Sequence, residues 1–252
     1  LRAGLKIRYW AAGILLYGIF LVATAPASLL PWIVNRYAPV ELSATHTSGT
    51  LWHGTAHQLG IRQAEQAGST LGDLNWELDF SHLLSGQQGM ILKLRGSNAS
   101  GQAKVWISPS SIQLHDLQLS IPAETLAAVP RIAAWKPEGR LTLNSTSLDL
   151  SRETLQGQAE IRWEQASLGI SPVRPLGAWE ANLNAEGKIT QIRLDTLNGP
   201  LALKGQGDWS RKGLRFNGTA SATDKQDELK TLLALIGRPI PGQMATVEIG
   251  IK

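Results

Sequence analysis

The 252-residue chain contains no cysteine. That removes disulfides, thiolate metal sites and cysteine nucleophiles together. It fits a compartment such as the periplasm, although an absence alone proves no address. Charge is sparse: 17% of residues are Asp, Glu, Lys or Arg, and glycine is frequent at 25. Soluble helix-rich enzymes carry more charge, so the composition leans towards β-structure or membrane association. Acidic residues are absent before Glu41, whereas Arg2, Lys6 and Arg8 all lie in the first eight positions. The pI near 9.5 therefore reflects where the charge sits. Subtracting those three from the formal +4 leaves about +1 for the rest of the chain, too little for a phosphate-binding footprint, and no nucleic-acid partner is expected. Catalytic fingerprints are missing as well: there is no Gly-x-Ser-x-Gly elbow, no Gly-x-x-x-x-Gly-Lys loop and no Gly-x-Gly-x-x-Gly run. Gly205-Gln206-Gly207 stands alone within a strand pattern.

What is present begins with an uncharged stretch from Tyr9 to Asn35. Its apolar part, Trp10 to Leu30, is about twenty residues, which as helix matches a hydrocarbon core of about 30 Å. Tyr9, Trp10 and Trp32 stand where interfacial aromatics belong, and Pro26 and Pro31 close the regular helix. The basic residues before it place the amino terminus in the cytoplasm. This predicts a cytoplasmic tail over residues 1–8, a transmembrane signal-anchor helix over 9–31, and an exported remainder. A cleaved signal peptide competes, through Ala23-Thr24-Ala25 and Ala25-Pro26-Ala27. Pro26 disfavours the first cut and the run is long for a signal core, so retention is expected. The sequence starts at Leu1 instead of Met, and a few native residues are expected to precede it.

From Glu41 onward the period is two. Leu92 and Leu94 alternate with Lys93 and Arg95, Leu141 and Leu143 with Thr142 and Asn144, and Val247, Ile249 and Ile251 close the chain the same way. Such alternation predicts antiparallel strands with one apolar and one wet face. The apolar phase slips across Ile112 to Leu119, which places a turn or bulge at His115-Asp116. Two short helices interrupt the strands. Leu229, Leu232, Leu233 and Ile236 mark one over Thr223 to Ile236, and Pro122 opens another that runs to about Val129. Landmarks recur in the same order: Gly54-Thr55-Ala56 and Gly157-Gln158-Ala159, then Leu71-Gly72-Asp73 and Leu176-Gly177-Ala178. The fold class expected is mainly β: one amino-terminal transmembrane helix and a strongly curved antiparallel sheet of two related halves, 32–145 and 146–252, each with a short helix.

Candidate sites are few. His53 and His57 share a strand face, but the nearest carboxylates in sequence are Glu41 and Glu65, so a sheet surface is the expected reading. His82 is isolated, and His115 beside Asp116 reads as turn chemistry. Asp73, Glu77, Asp79, Glu160 and Glu164 fall on the polar phase or at turns. Trp76, Trp106, Trp163, Trp179 and Trp209 recur at strand positions and are expected in the core, with a carbohydrate or lipid platform as the alternative. No catalytic, cofactor-binding or metal-ligating residue, and no cofactor, is expected.

The segments Pro26-Ala27-Ser28-Leu29-Leu30-Pro31-Trp32 and Ser48-Gly49-Thr50-Leu51-Trp52-His53-Gly54-Thr55-Ala56 resemble the type II secretion system protein N family. So do Leu71-Gly72-Asp73-Leu74-Asn75-Trp76, Gly199-Pro200-Leu201-Ala202-Leu203-Lys204-Gly205 and Leu232-Leu233-Ala234-Leu235-Ile236-Gly237-Arg238. The resemblance implies a single-pass inner-membrane protein of Gram-negative bacteria with a periplasmic domain. It implies a non-enzymatic accessory or scaffold part of the machine that exports folded periplasmic proteins through an outer-membrane secretin. Partners would be other inner-membrane and periplasmic subunits of that machine. A glycine-flanked strand, a strand ending near Trp76 and then Leu83-Leu84-Ser85-Gly86 resemble the AsmA-like envelope proteins, long curved sheets whose apolar concave face can hold lipid acyl chains. Lipid in an apolar β groove is the alternative function.

Overall fold

Successive side chains of a strand point to opposite faces, so a segment such as Met90-Ile91-Leu92-Lys93-Leu94-Arg95 builds a sheet with two unlike sides. The computed structural model describes residues 10, 13–18, 20–21, 23–29, 42–61, 69–79, 88–108, 110–240 and 244–251. Its strands are β1 (Leu42–Ser43), β2 (His46–Gly49), β3 (His53–Ile61), β4 (Ser69–Asp79), β5 (Gln88–Arg95), β6 (Ser100–Ile107), β7 (Ser111–Pro122) and β8 (Pro137–Ser151). There follow β9 (Leu155–Leu168), β10 (Gly177–Gly187), β11 (Ile189–Asn198), β12 (Leu201–Ser210), β13 (Gly213–Ala222), β14 (Arg238–Ile240) and β15 (Met244–Ile251). All belong to one 15-stranded antiparallel sheet. From β3 to β13 each strand pairs its neighbours in sequence, β1 and β2 both pair with β3, and β15 lies between β13 and β14.

The pairing register sorts the faces strand by strand. One row of directly opposed residues runs Ser48, Thr55, Asn75, Lys93, Gln102, Gln118, Asn144, Glu160, Asn182, Arg193, Gln206, Asn217 and Glu248. Every member is polar. The adjacent row on the other face runs Ala56, Leu74, Leu94, Gly101, Leu119, Leu143, Ile161, Ala181, Leu194, Gly205, Gly218 and Val247. None of these is polar. A register slip of one residue in any strand would exchange its two sides, so burial on one face fixes the pairing.

Where the register does slip, the backbone takes up the extra residue. Gln58, Asp116 and Gln165 all have positive φ, at 50°, 51° and 49°, and each lies in an irregularity of its ladder. The bulge expected at His115-Asp116 is thus a feature of β7. Gly72 (φ 126°) packs against Gly96, and Gly177 (φ 152°) against Gly199, with no room for a Cβ on any of the four.

Among the described residues, the helices that follow β7 and β13 gather at one end of the strands. Between β7 and β8 lie a 3-10 helix, Ala123–Ala128, and the single turn α1, Pro130–Ala133. The sequence pattern put a helix from Pro122 to Val129. Pro122 is instead the last residue of β7, its extended ψ of 139° preceding the first turn, and Pro130 opens α1 in the position where its missing N–H costs nothing. The second helix, α2, spans Gln226–Ile236, starting later than the expected Thr223 because Lys225 sits in the left-handed region at φ 51°. Leu229, Leu232 and Leu233 of α2 are buried against Leu201, Ala220, Ala222 and Ala245, each contributing about 1.5–3 kcal/mol. The expected junction of the two halves, near residue 145, falls inside β8, and the ladder runs through it.

Candidate functional site

The amino-terminal segment meets the sheet at the β2–β3 turn. Leu51 N donates to Ala25 O (2.8 Å), Ala27 N donates to Gly49 O (3.2 Å), and Pro26 bridges to Thr50. Below this junction Ala27, Ala56 and Trp76 form a buried cluster, and the Trp76 indole donates to Leu51 O at 3.1 Å. The stretch Ser48 to Ala56 is therefore a joint between the apolar segment and the sheet.

Beside that joint, three strands bring together groups far apart in sequence. Ser48 Oγ lies 3.3 Å from His57 Nε2, and His57 Nδ1 lies 3.1 Å from Asp73 Oδ2. Asp73 Oδ1 accepts the Gln58 amide at 2.9 Å, an amide turned towards it by the bulge. His46, directly opposite His57 in the ladder, stacks on it with ring centroids 5.3 Å apart. The Gln58 amide, and after it the His57 ring, hold the Asp73 carboxyl below the usual carboxylate range. Along the chain His57 has no near carboxylate; pairing of β3 with β4 supplies Asp73. Hydroxyl, imidazole and carboxylate stand in the order of an acyl-transfer triad. Both His57 and Asp73 are well exposed, however, and the groove described next lies against other strands. On its geometry the chain of hydrogen bonds ties β2 to β4 across β3.

A groove of about 1580 Å³ lies on the polar face over β5 to β13. Its lining is dominated by carboxamides, Gln102, Gln118, Asn144, Asn182, Gln206 and Asn217 among them, with Lys93, Lys104, Arg193 and Arg215 balanced by Asp116, Glu160 and Asp208. Lys104 Nζ donates to Asp116 Oδ2 at 2.8 Å, which, with its charge, lowers the Asp116 pKa. The sequence-predicted carboxylate Glu160 joins this row and shares Arg162 with Glu180 at 2.9 Å each. His53 is exposed opposite Glu77, and His115 lies at the β7 bulge. Asp79 pairs Gly89 through its backbone, whereas His82 and the Leu83–Gly86 motif lie outside the described residues. Among the described residues no three His, Asp or Glu side chains gather at a metal-like site. Trp179 is buried and meets the half-buried Trp163 edge-to-face at 5.5 Å, and both indoles donate to backbone carbonyls at 3.0 Å. Trp209 departs from the expected core and is exposed.

Residues 41–247 match the family model described as type II secretion system (T2SS), protein N. The chain belongs to that family. The type II secretion system protein N of Pectobacterium carotovorum subsp. carotovorum is 28% identical over 234 residues, 89% of this chain and 88% of its own length. That of Klebsiella pneumoniae is 30% identical over 232 residues, 86% and 84% of the two chains. A third, from Vibrio cholerae serotype O1, is 29% identical over 166 residues, 64% and 62% of the two. No solved structure matches the chain. A component of the type II secretion system thus presents one sheet with a polar and an apolar face, joined at its first hairpin to an apolar segment.

Proposed function

We propose that the chain is a non-enzymatic, single-pass inner-membrane scaffold of the type II secretion system, with its sheet in the periplasm, supporting export of folded proteins across the outer membrane. The observation that carries this is the joint: an uncharged apolar segment ends in backbone hydrogen bonds to the first hairpin of the family domain. Ile14, Leu15, Leu16, Tyr17, Phe20 and Leu21 of that segment are more than half exposed, an unfavourable placement for apolar side chains in water and a natural one in lipid. No helix among the described residues is long and apolar enough to cross a membrane; the spanning helix of the proposal, 9–31, includes residues 9, 11–12, 19, 22 and 30–31, which lie outside them. The sheet, read as curved and built from two related halves, would offer its faces and edges to other subunits. The equivalent packing of Gly72 on Gly96 and of Gly177 on Gly199 supports the duplication.

Purification from native membranes is the test. Other subunits of the secretion platform co-purify, and secretion of folded substrates falls on deletion; recovery of the chain alone with secretion intact rejects the scaffold.

A second reading, lipid in an apolar β groove, draws on the uninterrupted apolar row; the groove over β5 to β13 is lined by polar side chains instead, so lipid would have to lie against the opposite side of the sheet. Helices roof that face only at one end of the strands, among the described residues. Phospholipid recovered in fixed ratio to the purified chain supports this reading, and lipid-free protein rejects it.

A further inference from the structure

The two ends of the strands are unlike. The 3-10 helix, α1, α2 and the segment 169–176 lie at one end, and the other carries tight connections at 152–154, 188 and 211–212. The β2–β3 turn, to which Ala25 and Ala27 are hydrogen-bonded, belongs to this hairpin end. If the apolar segment is held in a membrane, as proposed above, the hairpin end is the end nearest that membrane.

Its side chains suit such a neighbour. Leu150, Ile189 and Trp209, beside three consecutive hairpins, are 48%, 51% and 52% exposed. Leu150 and Trp209 belong to the apolar face and Ile189 to the polar one, so the rim is apolar on both sides. At the tips stand Arg152, Lys188, Arg211 and Lys212, against Glu153 alone. Glu153 draws the tips together, 3.5 Å from Lys188 Nζ and 3.8 Å from Arg211 Nη1, and Arg211 Nη2 donates to Arg152 O at 2.8 Å. The nearest carboxylates lie farther inward on the polar face: Glu186 and Asp149 accept hydrogen bonds from Asn184 and Gln113 and keep their charge, and Asp208 stands opposite Arg215 in the ladder, so the positive excess is confined to the tips. Exposed tryptophan with clustered cations is the pattern of a headgroup interface.

We propose that this rim rests on the anionic phospholipid surface of the membrane holding the amino-terminal segment, so that the sheet stands with its hairpins on the lipid and its helices away from it. The inference rests on the anchor reading. Because the chain has no cysteine, Thr154→Cys and, at the far end, Leu235→Cys each accept a single fluorophore. The full chain is reconstituted in phosphatidylcholine vesicles with and without phosphatidylglycerol, each containing headgroup spin-labelled lipid.

The label at 154 is expected to be quenched with phosphatidylglycerol, less in phosphatidylcholine alone, and the label at 235 in neither. Replacing Arg152, Lys188, Arg211 and Lys212 by Gln lowers surface occupancy roughly fivefold per cation, and high salt does the same. Trp209→Ser, with the cations kept, weakens quenching independently. Unchanged circular dichroism confirms the fold of each variant. Quenching indifferent to phosphatidylglycerol and to the four cations, or equal at 154 and 235, overturns the proposal, as does protection of 154 only when secretion-system subunits are added. Release by alkaline carbonate would instead defeat the anchor; a chain retained in the membrane with 154 unquenched defeats the rim.

Discussion

Asp73 lies 15 residues from Gln58 and 16 from His57, yet its carboxylate holds both. Because those bonds depress its folded-state pKa, its contribution is present above the unfolded value, about 3.9, and is lost as pH falls through the lower folded one. Thermal midpoints of the parent should therefore drop more steeply below about pH 4 than those of Asp73→Asn, which starts lower at neutral pH. Identical profiles would show that the chain of hydrogen bonds contributes nothing. Gly177 makes a sharper case. At φ 152°, with a Cβ directed onto Asn198 O and Gly199, Gly177→Val should cost at least about 1–3 kcal/mol from backbone strain alone, read from chemical denaturation. Trp76→Phe keeps most of the packing but leaves Leu51 O without its indole donor, a loss of about 1 kcal/mol at the joint with the amino-terminal segment.

At the scale of elements, α2 is held by one stripe. Leu229 is fully buried and Leu232 and Leu233 nearly so, while Leu235 points away and is 61% exposed. Leu229→Ala should destabilise by about 2–5 kcal/mol, whereas Leu235→Ala should fall within about 0.5 kcal/mol of the parent. Equal effects in equilibrium unfolding would mean that the helix does not dock as described. This stripe was legible in the sequence, since its period of 3.6 depends only on the helix itself. The start of α2 and the true bounds of the Ala123–Ala128 helix were not. Both depend on single backbone conformations, the left-handed Lys225 and the extended Pro122, which neither residue type dictates.

For the whole molecule, the ladder of polar residues from Ser48 to Glu248 makes the sheet a continuous amphipathic surface. A sheet with such faces has two routes to partners: side-chain contacts across the groove, and lipid or protein against the apolar side. Reversal of Arg193 to Glu should leave the fold intact, because its side chain is exposed in the groove and stands opposite the neutral Asn182 and Gln206. If the groove receives a secretion-system subunit, co-purification of that subunit falls by an order of magnitude or more, as when rim-independent interface charges are opposed; unchanged recovery places the contact elsewhere.

The sequence by itself determined the period-two strands, the two unlike faces, the bulge at Asp116 and the uncharged segment before Glu41, because each follows from residue type and spacing along a local stretch. Only tertiary structure decided that Ser48, His57 and Asp73 meet, since that contact needs β2, β3 and β4 in one register with a residue bulged at Gln58. It also decided that Lys188 and Arg211 converge on Glu153, with the Arg152 carbonyl accepting from Arg211. Those side chains lie on three separate hairpins, and adjacency between hairpins comes from the order of strands in the sheet. The stretch from Ser48 to Ala56 shows both levels: its strand pattern was readable, and its role as the joint to the apolar segment came from backbone hydrogen bonds no pattern encodes.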